Sequence, residues 1–162
     1  MNKKIIALLL IVALGVAYYF FQRDSPEIQI KNRFDDFIVA VHKPQKMKGI
    51  TQIGKINSLK HFFSEDIQIS SSKHRVKIES RDKLMKLAQI GFRMEPRFKL
   101  SFEDLIIEVN SSSSATVYLT AVANGTRREG THAQELKLKL KKESGDWVIA
   151  EAEAVHALTL DQ

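Results

Sequence analysis

The sequence predicts an α+β domain carried behind an N-terminal membrane helix, and three observations predict it. Residues 5–21 run for 17 positions without a charge. From residue 27 to about 95, apolar residues recur mostly three and four apart, the spacing of helices that lay one stripe on a core. The last 65 residues alternate instead, in runs parted by Ser, Asn and Gly, as strands joined by tight turns do.

The uncharged segment follows Met1-Asn2-Lys3-Lys4 and closes on Tyr18, Tyr19, Phe20 and Phe21. As a helix it would be about 25 Å long, at the short end for crossing hydrocarbon. Tyrosines suit the membrane interface, and the two lysines favour a cytoplasmic N-terminus. The expected organisation is a basic segment at 1–4, a transmembrane anchor at 5–21, a linker at 22–26 and a soluble domain at 27–160. That domain would be periplasmic or extracellular. Gly15-Val16-Ala17 is also a tolerable small-x-small processing site, so secretion after cleavage near Ala17 is the alternative.

Pro26 suits a first helical turn, and Ile30, Phe34, Phe37, Ile38 and Val41 follow at helical spacing. Pro44 ends that helix. Residues 44–54 read as a basic loop, and Asn57 or Ser58 as the cap of a short second helix. Residues 65–69 alternate as a strand, and 73–78 as a second one. Ser80 is a good cap for a third helix carrying Leu84, Leu87, Ala88 and Phe92, which Pro96 bars from continuing.

Four strands then follow, at 99–110, 115–123, 134–142 and 146–158. The alternation slips near Glu103-Asp104, which marks a bulge. Leu136, Leu138 and Leu140 share one face of the third strand, and Lys137, Lys139 and Lys141 the other.

Composition excludes several classes. There is no cysteine, so disulfides and thiolate metal sites are ruled out. The five histidines include no pair at metal-binding spacing, so neither metal nor cofactor is expected. The net charge is +6, too mild to indicate nucleic acid without an RNP-like motif or an Arg-rich tail. Residues 73–99 nevertheless hold nine basic and three acidic residues. Their default role is a solvated face, and their sharper role is a surface for anionic lipid.

Three short motifs carry a family resemblance: Phe62-Phe63-Ser64-Glu65-Asp66-Ile67, Ser80-Arg81-Asp82-Lys83-Leu84 and Gly145-Asp146-Trp147-Val148-Ile149. In their order and spacing, residues 27–158 resemble the nuclear transport factor 2-like superfamily, including its SnoaL-like members. The resemblance implies a cystatin-like cone, a curved antiparallel sheet wrapped around about three helices with a pocket at the open end. It also implies that the outer sheet face can pair with another copy. Steroid isomerases of that superfamily place a catalytic Asp shortly after the first motif. The comparable position here falls near Ser71, and a serine is no general base at neutral pH.

The candidate site residues follow from strand faces. Glu151 and Glu153 share a face. With a three-residue loop at Glu143-Ser144-Gly145, Lys137 faces Glu151, Lys139 faces Ile149, and the leucines meet Ala152, Ala150 and Val148. A two-residue loop would instead put both glutamates on the leucine face, which is costly unless they line a wet pocket. His156 shares the face of Val148, Ala150, Ala152 and Ala154 and could point into the cone. With Glu153 and Asp66 as further polar groups, it is the pocket candidate of a ligand-binding or enzymatic reading. On the three-residue register Trp147 and Ile149 lie outward beside Tyr118 and Val122, an apolar patch fit for a homodimer or protein partner. No catalytic residue is assigned. The expected role is a membrane-tethered binding or assembly module, and the alternative is a small-molecule binder or lyase/isomerase-like enzyme using the cone.

Overall fold

A computed structural model describes residues 25–44, 49–71, 76–125 and 131–156, with the backbone alone at Ile50, Val76 and His156. The expected anchor at 5–21 lies outside the described residues. Among those described, no helix is long and apolar enough to cross a membrane.

The element order is α1 (Pro26–Val41), α2 (Gly49–Leu59), a 3-10 turn (Lys60–Phe62), β1 (Phe63–Ser71), β2 (Val76–Ile78), α3 (Arg81–Met94), β3 (Phe98–Ser111), β4 (Ser114–Gly125), β5 (Thr131–Glu143) and β6 (Asp146–His156). Ser25 caps α1 and Ser80 caps α3, each hydroxyl accepting from a backbone N–H three residues on. The second helix starts at Gly49, well before the expected cap. Its turn-rich sequence still presents Ile56 and Leu59 at helical spacing to the core, and that packing outweighs propensity.

The six strands form one sheet in the order β2-β1-β6-β5-β4-β3. It is mixed rather than wholly antiparallel, because β1 pairs with β6 in parallel. On one edge β1 pairs antiparallel with β2, the next strand in sequence, and its other edge takes the last strand, β6. The bulge foreseen near Glu103 is present: the β3–β4 register shifts between Glu103 and Ile106, and Asp104 has φ 53°.

Two core clusters lie between the helices and the sheet. The larger joins Ile30 and Phe34 of α1 to Ile67, Val117, Leu138 and Trp147. The smaller joins Val41, Ile56, Leu59, Phe62, Met85 and Phe92. Lysines close two helix ends. Lys55 Nζ donates to the carbonyl of His42 at 2.7 Å, just past α1. Buried Lys43 donates to Phe92 and Glu95 at the end of α3.

Candidate functional site

The hairpin turn decides which side chains reach which face. Ser144 (φ 51°) and Gly145 (φ 94°) are its only two loop residues, and Glu143 pairs with Asp146. Positive φ at both central positions matches the right-handed twist of the flanking strands. This is one residue shorter than the expected loop. The pairs next to it are Lys142 with Trp147, Lys141 with Val148 and Leu140 with Ile149. Trp147 and Ile149 therefore turn to the leucine face, contrary to expectation, since a one-residue slip moves every side chain across the sheet. They are 3% and 9% exposed and belong to the core.

A register shift between Lys139 and Leu140 then restores the other half of the expectation. Beyond it Lys139 pairs with Glu151, Leu138 with Ala152 and Lys137 with Glu153. Glu151 and Glu153 are exposed on the lysine face. Glu153 is thus not a pocket residue, because the bulge returns it to solvent. His156 pairs through its backbone with Glu135, and its side chain lies outside those described.

The interior is packed with rings. Phe37 meets Phe62 and Phe63 edge-on, Phe34 meets Phe102 edge-on, and Phe37 stacks on Phe102. The Arg33 guanidinium lies 4.3 Å over the Phe62 ring, with Nε donating to the Trp147 carbonyl at 3.2 Å. The space left among Arg33, Phe34, Phe37, Phe62, Trp147 and Ile149 is about 10 Å³, room for about one water.

Asp66 stands outside this interior, exposed, in a polar cluster where β1 meets the β5 end. Its Oδ1 accepts from the Ser64 hydroxyl and, at 3.0 Å, from Lys141 Nζ. Lys141 also meets Glu143 at 3.0 Å, and Ser64 Oγ lies 2.8 Å from Glu143 Oε1. The Ser64 hydroxyl and then the Lys141 ammonium hold the Asp66 carboxyl down at about 2. Lys141, followed by Ser64, lowers Glu143 as well. Both carboxylates are fixed as anions beside a built-in cation, which suits a structural tie better than proton transfer at neutral pH. Among the described residues no group of three or more His, Asp or Glu is placed to hold a metal.

The outer sheet face keeps one of the four expected interface residues. Val122 is buried, between Ser101 and Ala133 in the ladder. Tyr118 stays half-buried, with Lys137 Nζ 5.8 Å from its ring centre. Around it the structure adds Ile106, 58% exposed, which depends on the bulge, and exposed Val155, which shares the outward face of Glu151 and Glu153. The Asp104 bulge turns Ile106 outward opposite Tyr118. Val155 continues the outward alternation of Glu151 and Glu153, next to a second register shift between Glu135 and Leu136. Together with Thr120 and Glu135 they line a groove of about 360 Å³.

No family model and no curated protein matches the chain. Solved structures do match it in fold. A protein of unknown function from Mycobacterium tuberculosis is 18% identical, with 86% of this chain and 74% of that one covered and a TM-score of 0.63. A nuclear transport factor 2-like protein of unknown function from Pseudomonas aeruginosa is 12% identical, over 77% and 95% of the two chains, with a TM-score of 0.63. A protein from Novosphingobium aromaticivorans, provisionally named a scytalone dehydratase, is 15% identical over 83% and 93%, with a TM-score of 0.62. The chain is thus similar to nuclear transport factor 2-like, cystatin-like domains: a curved mixed sheet of six strands with three helices.

Proposed function

We propose that the chain is a membrane-tethered, extracytoplasmic binding and assembly module with no catalysis of its own. The observation that carries the reading is the ring packing among the described residues, where the cavity between Arg33 and Ile149 holds about 10 Å³. Ligand pockets are typically 300 Å³ or more, with converging polar groups. Recognition then falls to the surface. The groove around Ile106, Tyr118 and Val155 is the apolar feature of the outer sheet face, and a second copy of the chain is its proposed partner. The uncharged run at 5–21, with basic residues before it and aromatics closing it, supports the tether.

Ile106→Arg combined with Tyr118→Arg tests the association. Full-length protein in mild detergent is compared by sedimentation velocity, with circular dichroism as the check on folding. A self-associated wild type and a monomeric, folded variant are expected. A folded variant with the wild-type sedimentation coefficient would sink the interface. Alkaline carbonate extraction tests the tether, and the protein is expected to stay with the membrane. The alternative is a small-molecule binder or a lyase/isomerase-like enzyme using the cone, to which the provisional dehydratase name of the Novosphingobium neighbour would point. It requires ligand binding that Phe34→Trp, by filling the interior further, would abolish.

A further inference from the structure

Helix α3 is apolar on two faces. Met85 and Phe92 are buried in the core. On another face Leu87, Ile90 and Met94 are 47%, 52% and 51% exposed. Their spacing of three and four residues sets them in one line along the helix. A single exposed leucine requires no explanation, but a line of three on one helix does. Lys83, Lys86 and Arg93 are exposed on the same outward half of the helix, interleaved with that line, and Arg97 and Lys99 follow it, also exposed. The acidic residues nearby are otherwise placed. Asp82 lines the groove that α3 makes with Ile56 and Asn57 of α2. Glu79 is paired with Lys77 at 2.5 Å. Glu95 lies past the end of the helix, beside Gly125.

We infer that this face of α3 lies in the headgroup layer of an anionic bilayer. Apolar side chains flanked by lysine and arginine on an in-plane helix are the pattern that interfacial helices use. The apolar groove on the sheet has different surroundings: Asp104 and Glu135 line it, and the lysines of that face are offset by carboxylates, Lys139 paired with Glu151 and Lys137 opposite Glu153, so it carries no basic excess. Charge complementarity therefore assigns lipid to α3 rather than to the sheet. The inference rests on the tether reading for its lipid, since an anchor ending four residues before Ser25 would hold the domain at the surface. Docking would then fix the orientation of the domain, with the membrane against α3 and the sheet groove left to a partner. Lys83, Lys86 and Arg93 each contribute about fivefold to partitioning onto an anionic surface.

The absence of cysteine allows a single label to be placed in the full-length chain. Ile90→Cys and, as control, Ser112→Cys in the β3–β4 turn are labelled with an environment-sensitive fluorophore. The protein is reconstituted into phosphatidylcholine vesicles with or without phosphatidylglycerol and with a lipid-chain quencher. In the anionic vesicles, the label at position 90 is expected to shift to the blue and be quenched, while the label at 112 stays wet. Lys83→Glu, Lys86→Glu and Arg93→Glu together should return it to the signal seen in phosphatidylcholine alone, with an unchanged circular dichroism melt. A label at 90 as wet as that at 112 in protein that resists carbonate extraction overturns the docking and leaves the tether standing. Quenching at 90 that survives the three charge reversals also overturns it. If carbonate releases the protein, the tether reading fails, and the docking stands or falls on whether added anionic vesicles still shift the label at 90.

Discussion

Lys139 and Glu151 meet across the β5–β6 hairpin with Nζ 2.7 Å from Oε2, although the turn joining their strands has the wrong length to bring them together. Two loop residues set a register in which lysines would face alanines. The shift between Lys139 and Leu140 corrects it after four pairs. The hairpin thus holds two registers in series. Next to the turn it buries Trp147 and Ile149, and beyond the bulge it exposes Glu151 and Glu153. One extra residue lets one strand be apolar on the same face as the leucines and still pair its charges in water.

The turn is the first place to test this. Ser144 has φ 51°, a conformation asparagine adopts more readily than serine. Ser144→Asn is expected to stabilise the domain by about 0.5 kcal/mol. Gly145 has φ 94°, and nothing lies within 4 Å of where a Cβ would sit. Gly145→Ala should therefore cost about 1 kcal/mol through backbone strain alone. Urea midpoints of the two variants in opposite directions are the check. A neutral Gly145→Ala would mean that the turn relaxes to another type.

The elements of this fold were legible wherever one physical signal spoke alone. Ser80 as a cap, the Glu103-Asp104 slip and the Leu/Lys alternation each produced the structure expected of them. The register of the last hairpin was not legible. It depends on a turn length and a bulge, and neither leaves a mark in the alternation of residues 146–156. Two of the four candidate interface residues, Trp147 and Ile149, moved to the core for that reason, and Glu153 left the pocket. The parallel β1–β6 pairing was hidden as well, because no local pattern states which strand a distant edge will choose.

Lys43 shows how a charged residue can belong to the core. It is buried, and its ammonium satisfies the carbonyls of Phe92 and Glu95, the latter at 2.7 Å, while its own backbone bridges to Phe98. One residue therefore ties the end of α1, the end of α3 and the start of β3, its side chain reaching α3 and its backbone β3. Lys43→Met keeps the apolar stem and deletes the donor. It should cost about 2 kcal/mol, because carbonyls at a helix end are left without a partner. Amide exchange should accelerate first in the last turn of α3. An unchanged urea midpoint would show that water replaces the ammonium without loss.

The acid limb of stability should be set in part by Asp66. Its carboxyl is held at about 2, against an ordinary value of 3.8, by the Ser64 hydroxyl and then by Lys141. A group whose folded value is depressed contributes stability above its unfolded value and loses it as the pH falls through the folded one. The contribution is therefore complete above pH 3.8 and disappears on the way down to about 2. Glu143 is shifted in the same direction, chiefly by Lys141, and sharpens the same limb. The Ser64 hydroxyl has a single proton and donates to one of the two carboxylates at a time, so Lys141 is the group common to both. Asp66 and Lys141 are both at the surface, and solvent keeps the effect small. Asp66→Asn should flatten the fall in Tm in that window and leave Tm at pH 7 slightly lowered. Ser64→Ala should move the limb of the intact Asp66 upward in pH, because the largest cause of its depression is removed. A Ser64→Ala protein whose acid limb matched wild type would assign the shift to Lys141 alone.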